Sequence, residues 1–188
     1  KRSINTNIIN LFNLGWSDEG NYRYRVIIPS YDINGELNYF IARSIYDIDG
    51  QQKYLNCNIS WSQTIPFELY VNWFEPIILV EGPFDFLKHH NENVIPLLGN
   101  NISNKLLLKL LKYSPDIYVM LDSDMYQISI KITQLLNSFG LNTQLINIQK
   151  SGFKDPGEMN NLEFKNCILN YSNNIDFEAI ITASLQGI

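Results

Sequence analysis

Two patterns of apolar and polar residues divide the chain. From Arg23 to Asn56 lie two β-rich runs, RYRVIIPSYDI and ELNYFIARSIY, joined at Asn34-Gly35, a dipeptide suited to a tight hairpin turn. A second turn at Asp49-Gly50 leads into QQKYLN, so this part predicts a small antiparallel meander of three strands. A connecting stretch rich in aromatics follows, with Trp61, Phe67, Tyr70, Trp73 and Phe74. Beyond it, short apolar runs alternate with helical stretches. The runs Ile77 to Val80, Val94 to Leu98, Ile117 to Leu121 and Thr143 to Ile148 are continuous apolar or β-branched segments, as expected of strands covered on both faces. Between them Pro83 opens the helical stretch FDFLKHH, Ser103 caps NKLLLKLLKY and Gly140 ends QISIKITQLLNSF. Alternation of this kind predicts an α/β fold, a parallel sheet with flanking helices preceded by a small antiparallel β subdomain.

Composition narrows the setting. With 188 residues, 45% hydrophobic and 13% aromatic, the chain can bury a core of one domain or two small cooperating ones. No apolar run approaches the roughly 20 residues of a membrane helix, and KRSINTNIIN lacks the apolar stretch of a secretory signal, so a cytoplasmic setting is expected. Cys57 and Cys167 belong to no metal-ligand or disulfide pattern and read as packing residues. A start at Lys1 reads as a segment of a longer protein. The net charge of -5 argues against a broad basic face that coats nucleic acid and confines any such contact to a local patch.

In open α/β sheets ligands gather beyond the carboxyl ends of the strands. There PIILV ends in Glu81, followed by Gly82 and, one helical turn on, Asp85; IYVML ends in Asp122-Ser123-Asp124. If the two strands are parallel neighbours, Glu81, Asp122 and Asp124 enter one crevice with Asp85 behind them. Carboxylates so close raise one another's pKa unless a cation neutralises them, and hard oxygen ligands select Mg²⁺ or Mn²⁺ over zinc. Singly, each piece has a plainer reading: Glu-Gly as a turn, Asp85 as a stabiliser of a helix start, Asp-x-Asp as solvated surface. Their pairing at the ends of two buried strands favours the metal.

VEGPFDFL and VMLDSDM resemble the Glu-Gly and Asp-x-Asp motifs of the Toprim domain, shared by DnaG-type primases, topoisomerases and some nucleases, over residues 76 to 160. The resemblance implies that Glu81, Asp122 and Asp124 form a catalytic metal site with Asp85 in support. KSGFKDPGEM resembles the acidic Asp-Pro segment after the last Toprim strand in primases and implicates Asp155 as a further ligand. Met125 and Tyr126 depart from the Ala-Gly pair that usually follows in bacterial primases. Upstream, RVIIPSYDINGELNYFIARSIYDIDGQQKYLN resembles the module that precedes Toprim in primases: an Arg-x-x-x-Pro strand, a Gly turn, an Arg-ending strand and Lys-Tyr-Leu-Asn, in that order. This extends the likeness from Tyr22 to Asn160 and points to the catalytic core of a bacterial or phage-type DNA primase. It implies that Arg25, Arg43 and Lys53 face the carboxylates and hold triphosphate or template phosphate, with Lys154 as an extra contact, as guanidinium and ammonium chemistry allows.

The expected organisation is residues 1–75 as the N-terminal part with the meander, 76–160 as the Toprim metal-binding domain and 161–188 as a C-terminal helical extension. The implied activity is metal-dependent joining of ribonucleoside triphosphates into RNA primers on single-stranded DNA, with Mg²⁺ or Mn²⁺ as cofactor and a replicative helicase or helicase domain as partner, in a bacterial cell or phage-infected host. The carboxylates then position ions rather than attack, and His89-His90 read as surface residues. A Toprim nuclease would use the same carboxylates but leaves Arg43 and Lys53 without a role. A degenerate, non-catalytic Toprim module that recruits partners is a third reading, opposed by the presence of all four acidic positions.

Overall fold

The computed structural model describes residues 4–46, 50 and 52–171. A short helix, α1 (Thr6–Leu11), is capped by the Asn5 side chain, which accepts from the Ile8 N–H. Three antiparallel strands follow, β1 (Gly15–Ser17), β2 (Arg25–Tyr31) and β3 (Leu37–Ser44), in the order β1-β2-β3. The sheet thus has the three strands expected, but a different third member. Gly15 and Ser17 pair with Ile27 and Arg25, whereas the Lys-Tyr-Leu-Asn segment makes one bridge, Arg43 to Tyr54. The segment still runs along β3, with Ser44 N–H donating to Lys53 O (2.9 Å) and Leu55 N–H to Ala42 O (2.8 Å). Gly-Trp-Ser is too short to carry a strand periodicity. The turn residue Asp49 and the following Gln51 lie outside the described residues. At the first turn Gly35 has φ +80°, and the Asp32 carboxylate accepts from the N–H groups of Asn34 and Glu36 at 2.9 and 3.0 Å. The reversal is therefore built on Asp32 as much as on Asn34-Gly35.

The second sheet is wholly parallel: β4 (Ile77–Val80), β5 (Val94–Pro96), β6 (Ile117–Val119) and β7 (Thr143–Leu145), in the order β5-β4-β6-β7. Pairing stops before the apolar runs do, because their last residues pack in the core while the backbone turns toward the loops; Leu97, Met120, Leu121, Ile146 and Ile148 are all buried. Side chains alternate between faces. Ile78 and Val80 join a cluster with Phe84, Phe86 and Leu87 of α2 (Pro83–His89) and Phe164 and Cys167 of α5 (Asn161–Tyr171). Ile77 and Leu79 join another with Leu106 and Leu110 of α3 (Asn104–Tyr113) and Ile132 and Leu136 of α4 (Tyr126–Ser138). The helix signals hold as expected: Ser103 Oγ accepts from Leu106 N–H, and Gly140, with φ +81°, follows the end of α4. The part of the expected C-terminal extension beyond Tyr171 lies outside the described residues. No described helix is long and apolar enough to cross a membrane.

The aromatic connection fastens the two sheets together. Ile28, Tyr39 and Ile41 of the antiparallel sheet share the α2–α5 cluster with Phe67, whose ring stacks on Phe86 at 4.1 Å. Phe67 takes a left-handed conformation, φ +58°, and its buried N–H donates to Ser30 Oγ at 2.8 Å. Ser30 Oγ in turn donates to Asn38 Oδ1 at 2.7 Å. Next in the chain the buried carboxylate of Glu68 pairs with Lys109 Nζ of α3 at 2.8 Å. Ser30→Ala leaves the Phe67 N–H buried without its acceptor, so we expect a loss of about 1–3 kcal/mol in urea unfolding. Unchanged stability would mean that the Phe67 turn holds without this bond.

Candidate active site

Because β4 and β6 are parallel neighbours, with Ile77 beside Ile117 and Leu79 beside Val119, their exits lie side by side. This register delivers Glu81, Asp122 and Asp124 together: one carboxylate oxygen from each lies within 4.8 Å of the others. Asp124 is exposed, while Glu81 and Asp122 are half-buried. Glu81 Oε2 and Asp122 Oδ1 are buried with no hydrogen-bond partner among the described residues. Burial, then the neighbouring carboxylates, raise both groups: the Asp122 carboxyl is pushed up to about 8, and Glu81 is shifted in the same direction. Unpartnered, clustered oxygens of this kind fit a hard divalent cation.

The other two predicted acids stand behind this trio. Asp85, on the first turn of α2, is 3% exposed and its Oδ2 accepts from Gly82 N–H at 2.9 Å, which fixes the turn that presents Glu81. Asp155 sits across Gly157 from Asp85. A Cβ added at Gly157 would lie 2.7 Å from Asp85 Oδ1 and 2.9 Å from Asp155 Oδ1, so glycine lets both carboxylates keep these positions. Both acids contribute to the upward shifts of Glu81 and Asp122.

Main-chain bonds lock the loops to one another. Lys154 O accepts from Ser123 N–H at 2.7 Å, and the Gln149 side-chain amide donates to Ser123 O at 2.6 Å. From α2, Lys88 Nζ donates to Gly157 O at 2.6 Å, and His89 Nε2 lies 2.8 Å from Pro156 O. His89 is not the surface residue expected. It is 1% exposed and stacks on Phe164 at 3.9 Å, because the Pro156 carbonyl and the α5 ring enclose it. Burial lowers its pKa, so it serves as a neutral donor to that carbonyl. His90 is half-buried, with Nδ1 2.9 Å from Leu87 O. After the Asp-x-Asp motif, Met125 closes a tight turn onto Asp122 O and packs into the α3–α4 core, and Tyr126 starts α4. The helix entry therefore forms without an Ala-Gly pair.

The predicted basic residues separate. Arg25 is 3% exposed, and its guanidinium donates to Gln52 O (2.8 Å), Lys53 O (3.3 Å) and Ala42 O (3.4 Å). Committed to carbonyls in this way, it holds the Lys53 segment in place instead of offering itself to phosphate. Arg43 donates to Tyr54 Oη and lies over the Phe84 ring at 4.9 Å, beside the Glu81-Gly82 turn. The side chains of Lys53 and Lys154 are exposed. Between the two sheets opens a cavity of about 230 Å³, with Ile41, Tyr54 and Asn56 on one wall and Glu81, Gly82 and Leu98 on the other. Gly157 and Lys88 have no sequence signal beyond a glycine directly after Asp-Pro, and His89 reads in the sequence only as a surface residue.

No protein-family model matches the chain, and no curated protein sequence matches it. Solved structures do. The zinc-binding and RNA polymerase domains of the Aquifex aeolicus primase match with a TM-score of 0.73 and 20% identity, over 90% of this chain and 53% of that one. The RNA polymerase domain of Mycobacterium tuberculosis primase DnaG matches with a TM-score of 0.70 and 16% identity, over 98% and 77% of the two chains. The primase fragment of the bacteriophage T7 primase-helicase protein matches at 0.62 and 18%, over 90% and 71%. The chain thus has the fold of DnaG-type primase catalytic cores, and spans about half the length of the Aquifex chain.

Two outcomes follow from this geometry. A carboxyl whose folded pKa is raised favours folding below its unfolded value, near 3.8 for Asp122, and that contribution is lost as pH rises through about 8. In EDTA, Asp122→Asn should therefore gain melting temperature over the parent progressively from pH 5 to pH 8. Comparing the two proteins cancels the opposite trend from His89, whose lowered pKa weakens folding as pH falls below 6.5. A difference constant with pH would remove the carboxylate strain. Gly157→Ala displaces the Asp85 and Asp155 carboxylates, and Mn²⁺ titration should read about a tenfold weaker site.

Proposed function

We propose that the chain is the catalytic core of a DNA primase, joining ribonucleotides into RNA on a single-stranded DNA template. The observation that carries this reading is one cavity walled on one side by the Glu81 turn and on the other by Tyr54 and Asn56, with Arg43 donating to the hydroxyl of that Tyr54. A nuclease needs the carboxylates alone; a polymerising site also needs a place for the triphosphate facing them. The fold shared with primase catalytic cores supports the same conclusion.

In this reading Glu81, Asp122 and Asp124 hold Mg²⁺ or Mn²⁺, with Asp85 and Asp155 adding negative charge from behind. A divalent cation, when bound there, polarises phosphoryl oxygens and lowers the pKa of a hydroxyl. The protein's own groups then divide the remaining work. Lys53 and Arg43 hold triphosphate or template phosphate, Lys154 adds a cation beside the Asp122 loop, and Arg25 positions Lys53 through the carbonyls of residues 52 and 53. Template bases find a stacking surface at the end of the antiparallel sheet. Trp16 and Tyr46 are 55% and 52% exposed, Tyr24 lies between them at centroid distances of 6.4 and 5.5 Å, and the Arg23 guanidinium sits 4.4 Å from the Tyr24 ring. A replicative helicase or helicase domain is the expected partner, by analogy with the T7 neighbour, a fragment of a primase-helicase protein.

The test is incorporation of labelled ribonucleotides on single-stranded DNA, with DNA degradation followed in parallel. Asp122→Asn should abolish incorporation. Lys53→Ala and Arg43→Ala should reduce it at least about tenfold, the effect of losing a charged contact of about 1.5–3 kcal/mol, while Mn²⁺ affinity stays near the parent value. Full activity in both basic variants would leave the antiparallel sheet as a structural neighbour only. DNA cleavage without synthesis would assign the carboxylates to a nuclease.

A further inference from the structure

Helix α2 meets the Asp155 loop along one of its faces. Asp85, Lys88 and His89 stand at i, i+3 and i+4, so they share a side of the helix, and all three reach the turn Pro156–Glu158. Asp85 Oδ1 lies 2.7 Å from where a Cβ on Gly157 would sit. Lys88 Nζ donates to Gly157 O at 2.6 Å, and His89 Nε2 donates to Pro156 O at 2.8 Å. Two consecutive side chains of α2 thus take the two consecutive carbonyls that directly follow Asp155. The His89 ring is held in that orientation by the buried Phe164 of α5, stacked on it at 3.9 Å with 13° between the planes. Lys88, by contrast, is half-buried and reaches its carbonyl from the helix edge. Neither side chain belongs to the Glu81, Asp122 and Asp124 cluster.

We infer that Lys88 and His89 are positioning residues: together they clamp the carbonyls of residues 156 and 157 to α2 and so set where Asp155 stands relative to Asp85 and the carboxylate cluster. Like charge on Glu81 and Asp122 pushes the Asp155 carboxylate outward, and the clamp acts against that push from the residues next in the chain. On the other side of Asp155 the Lys154 carbonyl accepts from Ser123 N–H at 2.7 Å, so Asp155 is fixed from both neighbours, by the Asp122 loop before it and by α2 after it. The two donors differ in kind, one an ammonium and one a neutral imidazole, and neither touches the cation. Groups that orient metal ligands in this indirect way typically carry about 10- to 100-fold in metal affinity. The inference rests on the reading of the cluster as a divalent-cation site and is independent of whether the reaction there is synthesis or cleavage.

The experiment titrates the full chain with Mn²⁺, followed by the electron paramagnetic resonance signal of the free ion, with thermal melts in EDTA as the control for folding. Lys88→Met keeps the stem and loses the ammonium. His89→Leu loses the donor, whereas His89→Gln places an amide N–H at the reach of Nε2. Lys88→Met and His89→Leu should each weaken Mn²⁺ binding about tenfold, and His89→Gln should stay within about twofold of the parent although it lacks the ring that stacks on Phe164. In an Asp155→Asn background, Lys88→Met and His89→Leu should have no further effect, because the ligand they position has lost its charge. Equal weakening by His89→Leu and His89→Gln, or the same loss with and without the Asp155 carboxylate, overturns the inference and leaves the pair a role in folding only. Parent-like Mn²⁺ affinity in Lys88→Met and His89→Leu overturns it too, while the cation reading stands. Should His89→Leu fail to fold, Lys88→Met carries the same comparisons. A parent chain that takes up no Mn²⁺ sinks the cation reading itself, and this inference with it.

Discussion

Mutual repulsion among carboxylates at the exits of β4 and β6 is the constraint on which the rest of the site depends. Parallel pairing places Glu81 and Asp122 side by side at the sheet's carboxyl edge, where burial removes the water that would screen them. Around the repelling groups the structure sets neutral and cationic restraints: Gly82 N–H on Asp85, Ser123 N–H on Lys154 O, Lys88 on Gly157 O and buried His89 at Pro156 O. The strain held in this way is what a divalent cation would relieve.

The antiparallel sheet completes the site from the opposite side. Its inner residues share a hydrophobic cluster with α2, so the position of Tyr54 and Asn56 over the Glu81 turn is set by core packing rather than by a flexible connection. Arg25 shows how this is done. A charged side chain 3% exposed would be unfavourable without partners, yet its bonds to the carbonyls of Gln52 and Lys53 satisfy backbone acceptors in a segment with a single ladder bridge. One buried guanidinium therefore substitutes for a missing strand.

The two faces of the parallel sheet have different chemistry. Strand alternation sends one set of side chains to α2 and α5, beneath the carboxylates and the antiparallel sheet, and the other to α3 and α4. The first face is closed by protein. The second keeps a depression between Asn100 to Ile102 and the Ile128, Lys131, Ile132 and Leu135 stripe of α4.

Local pattern alone determined much of this molecule. Continuous apolar runs marked β4, β5 and β6, the apolar and β-branched positions of Thr143 to Ile148 marked β7, Ser103 and Gly140 marked helix ends, and Glu81 and Asp122-Ser123-Asp124 were legible because each follows an apolar run directly. Strand ends are where α/β sheets gather ligands, so sequence position implied spatial position. Tertiary structure decided what has no local period. Gly-Trp-Ser became a strand only because β2 had a free edge, and three residues cannot announce that. Arg25 and His89 have ordinary polar sequence contexts; burial assigned one to carbonyls of a segment 27 residues away and the other to a carbonyl 67 residues away. Gly157 matters because Asp85, distant in sequence, comes within reach of it. Residue type and spacing revealed the chemistry available. Which groups face the crevice, and which hold others in place, depended on long-range packing that no window of sequence contains.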